Sequence, residues 1–329
     1  MIITKTPYRL SLFGGGTDYN AWYEKHSGRV LAAAINHYCY LSVRVLPPFF
    51  EHRYRVAYSR VEQANQISEI LHPAVRACLQ EFEIGVGLEI HHDGDLPARS
   101  GIGSSSSFTV GLLHALHALK RQMISANSLA SQAIHVEQNV LGEAVGIQDQ
   151  IMAAYGGLRI IEMGPTRNWS VSQLTLPSDY LQAFEQHILI GFSGINRFSN
   201  SYAQENIANI RDNKHFEELE AISQLAETAI TAFSSSADFK VIGDLLHEGW
   251  QLKRRLFDRA SADWMDDLYS KAIASGAFGG KLMGAGGGGF FYFMAPPSRH
   301  DAIKKSLSTV KVWVPFTIAK SGSQVVFLD

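Results

Sequence analysis

Short runs rich in branched and aromatic residues dominate the first hundred positions. MIITKT, YRLSLF, RVLAAAI, YCYLSVRVL, RYRVAY and VGLEIHHD are bounded by Gly, Pro or Asn and predict β-strands. One helix, about 72–82, interrupts them. At Ser105 the period changes: Phe108, Leu112, Leu116 and Leu119 recur at helical spacing, Val110 and Leu113 widen the stripe, and a second helix is predicted from Asn127 to Gly142. A mixed sheet backed by helices follows from this pattern.

GGLRIIEMG and WSVSQLTL read as a hairpin, and LPSDYLQAF places a hinge around Pro177 to Asp179, which divides the protein into 1–178 and 179–329. The second part opens with the strand HILIGFSG and becomes helical over about 199–211, 215–233, 238–257 and 264–275. It closes with strands GGKLMG and GFFYFMA, a helix near 298–308, and strands VKVWVPFTI and SQVVFLD. The expectation is an α+β protein whose second domain holds an antiparallel sheet.

A chain of 329 residues is long enough for two domains with sound cores. With 46% hydrophobic and 18% charged residues and a net charge of −2, it carries no whole-molecule field for nucleic acid or an anionic membrane, so any anion site is local. Two cysteines, Cys39 and Cys78, form neither a disulfide framework nor a thiolate metal site, which argues for a reducing compartment. MIITKTPYRL lacks the layout of a leader, and no run of about 18 apolar residues occurs. The reading is a soluble, cytoplasmic protein. His91 with His92, and His114 with His117, lack a third ligand and are read as structural.

The chemistry concentrates in three glycine-rich stretches. LPARSGIGSSSS, residues 96–107, precedes a helix whose unpaired N–H groups and positive dipole end would face the loop. Gly101 and Gly103 allow the backbone to curl around a bound group, and the serine hydroxyls add donors or a metal ligand, so phosphate is the expected guest. No Walker A loop is present. FGGGTD, residues 13–18, reads either as a tight turn or as backbone without Cβ that, with the carboxylate of Asp18, would approach a polyhydroxyl ligand. GGKLMGAGGGGFFYF, residues 279–293, matches G-x-G-x-x-G formally, but a strand follows where a dinucleotide fold requires a helix.

Glu137 lies near the end of the second predicted helix, and Asp149 twelve residues later falls in the first turn of another. Two carboxylates and serine hydroxyls beside a polyphosphate suit Mg²⁺, which takes one or two carboxylates together with substrate phosphates. Phosphoryl transfer needs such a metal, cations on the moving charge, and a group that positions or deprotonates the attacking hydroxyl.

An early Arg-x8-Asp (Arg9, Asp18), a central G-x-G-S-S-S and a late G-x-G-G-G-G together resemble the GHMP small-molecule kinase superfamily, over nearly the whole sequence. TPYRLSLFGGGTDY, VLGEAVGIQDQIMAAYGG, GWQLKRRLF and GAFGGKLMGAGGGGF look most like its members that act on a heptose 7-phosphate. The resemblance implies an N-terminal domain like ribosomal protein S5 domain 2 and a C-terminal ferredoxin-like α/β sandwich. It implies ATP and Mg²⁺, with Pro97, Ser100, Gly101, Gly103, Ser104, Ser105, Ser106 and Ser107 around the phosphates, and Ser105 and Glu137 at the metal. Asp149 would orient or deprotonate the hydroxyl and Arg9 would stabilise the transferring group. Gly15, Gly16, Asp18, Lys281, Gly284, Gly286 and Gly287 would face the substrate. A phosphate already on the substrate needs its own cations, for which Arg197 and Lys253 with Arg254 are the candidates. The implied reaction is transfer of the γ-phosphate to the anomeric hydroxyl of a heptose 7-phosphate, giving the 1,7-bisphosphate for nucleotide-heptose synthesis. A fucose-like or galactose-like sugar-1-kinase and a silent sugar- or nucleotide-binding regulator are the alternatives.

Overall fold

The computed structural model describes residues 1–166, 168–194, 199–256, 263–284, 288–310 and 312–329. In sequence order the first part runs β1 (Ile2–Phe13), α1 (Asn20–Tyr23), β2 (Gly28–Val45), β3 (Tyr54–Ala57), β4 (Val61–Ala64), α2 (Pro73–Glu81), β5 (Leu88–Gly94), α3 (Ser104–Leu119), α4 (Ala126–His135), α5 (Gln148–Tyr155), β6 (Leu158–Met163) and β7 (Trp169–Gln173). The second runs α6 (Ser178–His187), β8 (Ile188–Phe192), α7 (Ser199–Arg211), α8 (Phe216–Ser234), α9 (Phe239–Arg255), α10 (Asp263–Ala274), β9 (Gly279–Leu282), β10 (Phe290–Met294), α11 (His300–Ser306), β11 (Val312–Val314) and β12 (Gln324–Leu328).

Two sheets organise these elements. The larger has the path β12-β1-β2-β5-β3-β4, and β6 and β7 extend from the first half of β2. The smaller is antiparallel in the order β11-β8-β10-β9, which is the strand order of a ferredoxin-like βαββαβ unit. The α+β, two-domain expectation holds.

Four details differ from the sequence pattern. MIITKT and YRLSLF form one strand, because the missing N–H of Pro7 is absorbed by a register shift between Pro7 and Tyr8. RVLAAAI and YCYLSVRVL likewise merge into β2. The helix after Ala126 ends at His135 and passes into a π-turn, Val136–Val140, instead of continuing as α-helix to Gly142. SQVVFLD is a strand as predicted, but it returns to the larger sheet beside β1, with Ile2 opposite Leu328.

The core beneath the larger sheet is apolar on the faces the pattern selected. Leu10, Leu12, Val30, Leu31 and Leu41 from the strands and Val110, Leu112, Leu113 and Leu116 of α3 are all buried in one apolar cluster. Thr4 on β1 donates from Oγ1 to the Gly111 carbonyl at 3.0 Å, so α3 lies close against β1. That approach sets the start of α3 beside Arg9, where the chemistry gathers.

Candidate active site

The loop before α3 is held from two sides. Arg9 N–H donates to the Ile102 carbonyl at 3.1 Å, and Phe290 N–H donates to the Ser100 carbonyl at 3.0 Å. Gly101 and Gly284 touch through their backbones: a Cβ on Gly101 would lie 2.6 Å from the Met283 carbonyl oxygen, and one on Gly284 would lie 2.7 Å from Gly101 Cα. The first residue of the late glycine motif therefore clasps the serine loop. Gly103, at φ +74°, is the N-cap of α3, and no side chain caps the helix. Its first amides remain available to an anion, as the sequence pattern anticipates.

Arg9 and Asp149 form the centre. Arg9 Nε donates to Asp149 Oδ1 at 2.6 Å and Nη2 to Oδ2 at 2.8 Å, a bidentate pair, while Nη1 donates to the Gly101 carbonyl at 2.6 Å. Arg9 is 4% exposed, so this pair works at reduced dielectric. A Cβ on Gly103 would press within 3.2 Å of both Arg9 and Asp149, so the loop lies directly against the pair.

Glu137 is fully buried in the π-turn. Its Oε2 accepts from Ser106 Oγ at 2.8 Å and from Gln150 Nε2 at 2.5 Å, and its Oε1 has no partner. Burial pushes its carboxyl up to about 7, against the hydrogen bonds from Ser106 and Gln150. An orphaned buried carboxylate oxygen behind a serine hydroxyl at a helix start is a hard-oxygen donor set, and it fits Mg²⁺ that brings its remaining ligands as phosphates and water. No group of three or more His, Cys, Asp or Glu suited to a metal occurs among the described residues, so the pair would need the nucleotide's oxygens. The serine that reaches Glu137 is Ser106. Ser105, the one favoured from the sequence, is exposed and offers its carbonyl to Thr109 Oγ1 at 3.2 Å.

One cavity of about 770 Å³ joins Arg9, Asp149 and the serine loop, with Glu137 buried behind Ser106. At one end Tyr58, His72, His92 and Phe108 build an aromatic wall. His72 stacks on Phe108 with centroids 4.6 Å apart, and Tyr58 and His92 meet this pair edge-on. Burial holds His72 down to about 4, so this imidazole is uncharged at neutral pH, and burial lowers His92 as well. At the other end lie Gly15, Gly16, Asp18, Asn206, Asn209, Lys253 and Lys281. Asp18 is buried, accepts from Gly16 N–H at 2.9 Å, and is pushed up by burial, with the Asp149 charge adding. Lys253 Nζ donates to the Gly284 carbonyl at 2.7 Å and to that of Leu282 at 3.2 Å. Burial and the neighbouring Arg9 bring it down to about 8. Lys281 is 8% exposed and held well below its ordinary range by burial, Lys253 and Arg9.

The cavity thus brings together Arg9, Gly15, Gly16, Asp18, Gly101, Gly103, Ser104, Ser105, Ser106, Asp149, Lys253, Lys281 and Gly284. Pro97, Ser100 and Ser107 do not line it. Ser100 Oγ donates to the Pro97 carbonyl at 2.5 Å and Ser107 Oγ to that of Pro7 at 2.8 Å, so all three shape the loop. Arg254 is paired with Asp266 on α10. Arg197, Gly286 and Gly287 lie outside the described residues. Sequence reasoning left out Gln150, Glu143, Tyr58 and His72, and read His92 as structural. Gln150 and Glu143 stand in GEAVGIQDQ, where polar residues around two glycines are a usable signal, whereas the aromatic wall comes from four separate segments and leaves none.

The profile for the GHMP kinases N terminal domain matches residues 69–157, and that for the GHMP kinases C terminal domain matches residues 217–311. The D-glycero-alpha-D-manno-heptose 7-phosphate kinase of Campylobacter jejuni is 28% identical over 98% of this chain and 97% of its own. The galactokinase of Pyrococcus furiosus is 26% identical over 87% of this chain and 86% of its own. Among solved structures, a D-glycero-D-manno-heptose 1-phosphate kinase from Bacteroides thetaiotaomicron superposes with a TM-score of 0.78 at 23% identity, covering 98% of both chains.

Proposed function

The chain belongs to the GHMP kinase family and is an ATP-dependent sugar kinase, and from that premise we propose that it phosphorylates the anomeric hydroxyl of a heptose 7-phosphate. The observation that carries this reading is the bidentate Arg9–Asp149 pair, lying between the serine loop and the Asp18 end of one cavity. The Campylobacter jejuni relative supports the heptose assignment. The division at 178/179 is part of the proposal, with β12 crossing back to the first sheet.

In this reading the α3 amides, with Gly101, Gly103 and Ser104, cradle the ATP phosphates, and the aromatic wall takes the base. Ser106 and Glu137 hold Mg²⁺, which supplies charge neutralisation on the phosphate oxygens. Asp18 and the Gly15–Gly16 backbone hold sugar hydroxyls. Asp149 orients the anomeric hydroxyl and receives its proton as the sugar oxygen bonds to the γ-phosphorus and the bond to the β–γ bridging oxygen breaks, leaving ADP. Arg9 keeps the carboxylate aligned and, with Lys281 and Lys253, opposes the charge on the moving group.

The test is ADP release with purified protein against free and phosphorylated heptoses, galactose and fucose, with the product's phosphate position read by ³¹P NMR. A heptose 7-phosphate should give the highest kcat/KM and a new anomeric phosphate. The galactokinase likeness carries the second reading, and preferential turnover of free galactose or fucose would replace the first. ATP binding without turnover of any sugar would refute both.

A further inference from the structure

A second carboxylate stands beside Glu137 that nothing above uses. Glu143 lies in the loop between the π-turn and α5, where its backbone N–H donates to the Glu137 carbonyl at 2.8 Å. Gly142, at φ +64°, makes the turn that folds the loop back. The Glu143 side chain is half-buried and lines the same cavity as Ser106. Among the described residues its carboxylate makes no hydrogen bond or ion pair. A fully buried carboxylate with an unpartnered oxygen, and a second carboxylate on the loop tethered to its backbone, are costly to keep without a cation nearby.

Two of the cavity's cations are already engaged. Arg9 is committed to Asp149 and the Gly101 carbonyl, and Lys253 to the Leu282 and Gly284 carbonyls. We infer that Glu143 joins Glu137 and the Ser106 hydroxyl in a two-carboxylate seat for the divalent cation that accompanies the nucleotide. Hard cations take oxygen ligands, and Mg²⁺ keeps several waters, so one carboxylate bonds directly or through such a water while the other sets the charge. The seat balances a dication with two formal negative charges before any phosphate arrives. It rests on the kinase reading above.

The experiment titrates Mn²⁺ into the full-length protein with saturating ADP and follows free Mn²⁺ by electron paramagnetic resonance, for wild type, Glu143→Gln and Glu143→Asp. Glu143→Gln should weaken Mn²⁺ about 10–100-fold, with Glu143→Asp between it and wild type. Without metal, Glu143→Gln should melt no lower than wild type, because it removes a like-charge neighbour of Glu137. Equal Mn²⁺ affinity in all three proteins overturns the inference. So does an ADP affinity that falls equally with and without Mn²⁺, which would make Glu143 a nucleotide ligand. If ADP fails to bind wild type even with Mn²⁺, the kinase reading itself falls and this one falls with it.

Discussion

Asp149→Asn separates a proton acceptor from a positioning group. The substitution keeps one oxygen for Arg9 Nε, whose bond is 2.6 Å, and sets an amide NH₂ against Arg9 Nη2 in place of the 2.8 Å bond. Losing a charge-assisted hydrogen bond costs about 1.5–3 kcal/mol. The Asp149 side chain is 25% exposed, so water takes over part of that role and a stability loss of about 1–2 kcal/mol is expected. Catalysis has its own scale: a general base contributes about 10²–10⁴ in kcat, or about 3–5 kcal/mol of barrier. The assay is kcat and KM by ADP release, with urea unfolding on the same preparations. A folded Asp149→Asn enzyme with kcat down by at least 10² and KM for ATP near wild type supports proton acceptance. A change below about tenfold leaves Asp149 as a positioning residue held by Arg9. Unchanged turnover with the stability loss intact would refute both roles and make the pair a strut between β1 and α5. Arg9→Met checks the coupling, since the double variant should lose less than the sum of the singles.

Other perturbations test neighbouring parts of the site. Glu137 is pushed up from its ordinary 4.5 to about 7, so its contribution to stability is fully present below about pH 4.5 and is lost as pH rises through 7. Metal-free wild type should therefore lose up to about 3 kcal/mol more than Glu137→Gln between pH 5 and 8 in urea titrations, and parallel curves would refute the assignment. Ser106→Ala should raise the Mg²⁺ concentration for half-maximal turnover by about tenfold or more while Ser105→Ala leaves it within about twofold, and the reverse order would restore Ser105 to the metal. Gly101→Ala places a Cβ 2.6 Å from the Met283 carbonyl oxygen at φ +84°. It should raise KM for ATP and destabilise the fold by about 1–3 kcal/mol in thermal melts; a normal KM would mean that the clasp with Gly284 is dispensable.

What was legible in the sequence divides along a physical line. Residue types that chemistry requires announce themselves: glycines where two backbones meet, as at Gly101 and Gly284, and carboxylates such as Asp149 at the start of a helix. The apolar stripe of α3 is equally plain, because burial on one face forces the period. Pairing partners are not encoded in such local signals, so SQVVFLD could be recognised as a strand but not as the neighbour of β1. Helix phase was the other gap. Successive residues of an α-helix point about 100° apart, and which of four serines meets Glu137 depends on where α3 begins. With Gly103 as N-cap, Ser106 takes the third helical position and turns inward while Ser105 faces out. The π-turn had the same effect on the opposite wall, since the wider turn carries Glu137 inward and lets the loop fold Glu143 back onto it. A sequence pattern that assumes uniform α-helix to Gly142 misses that placement, so the carboxylate pair emerges only once the turn is drawn.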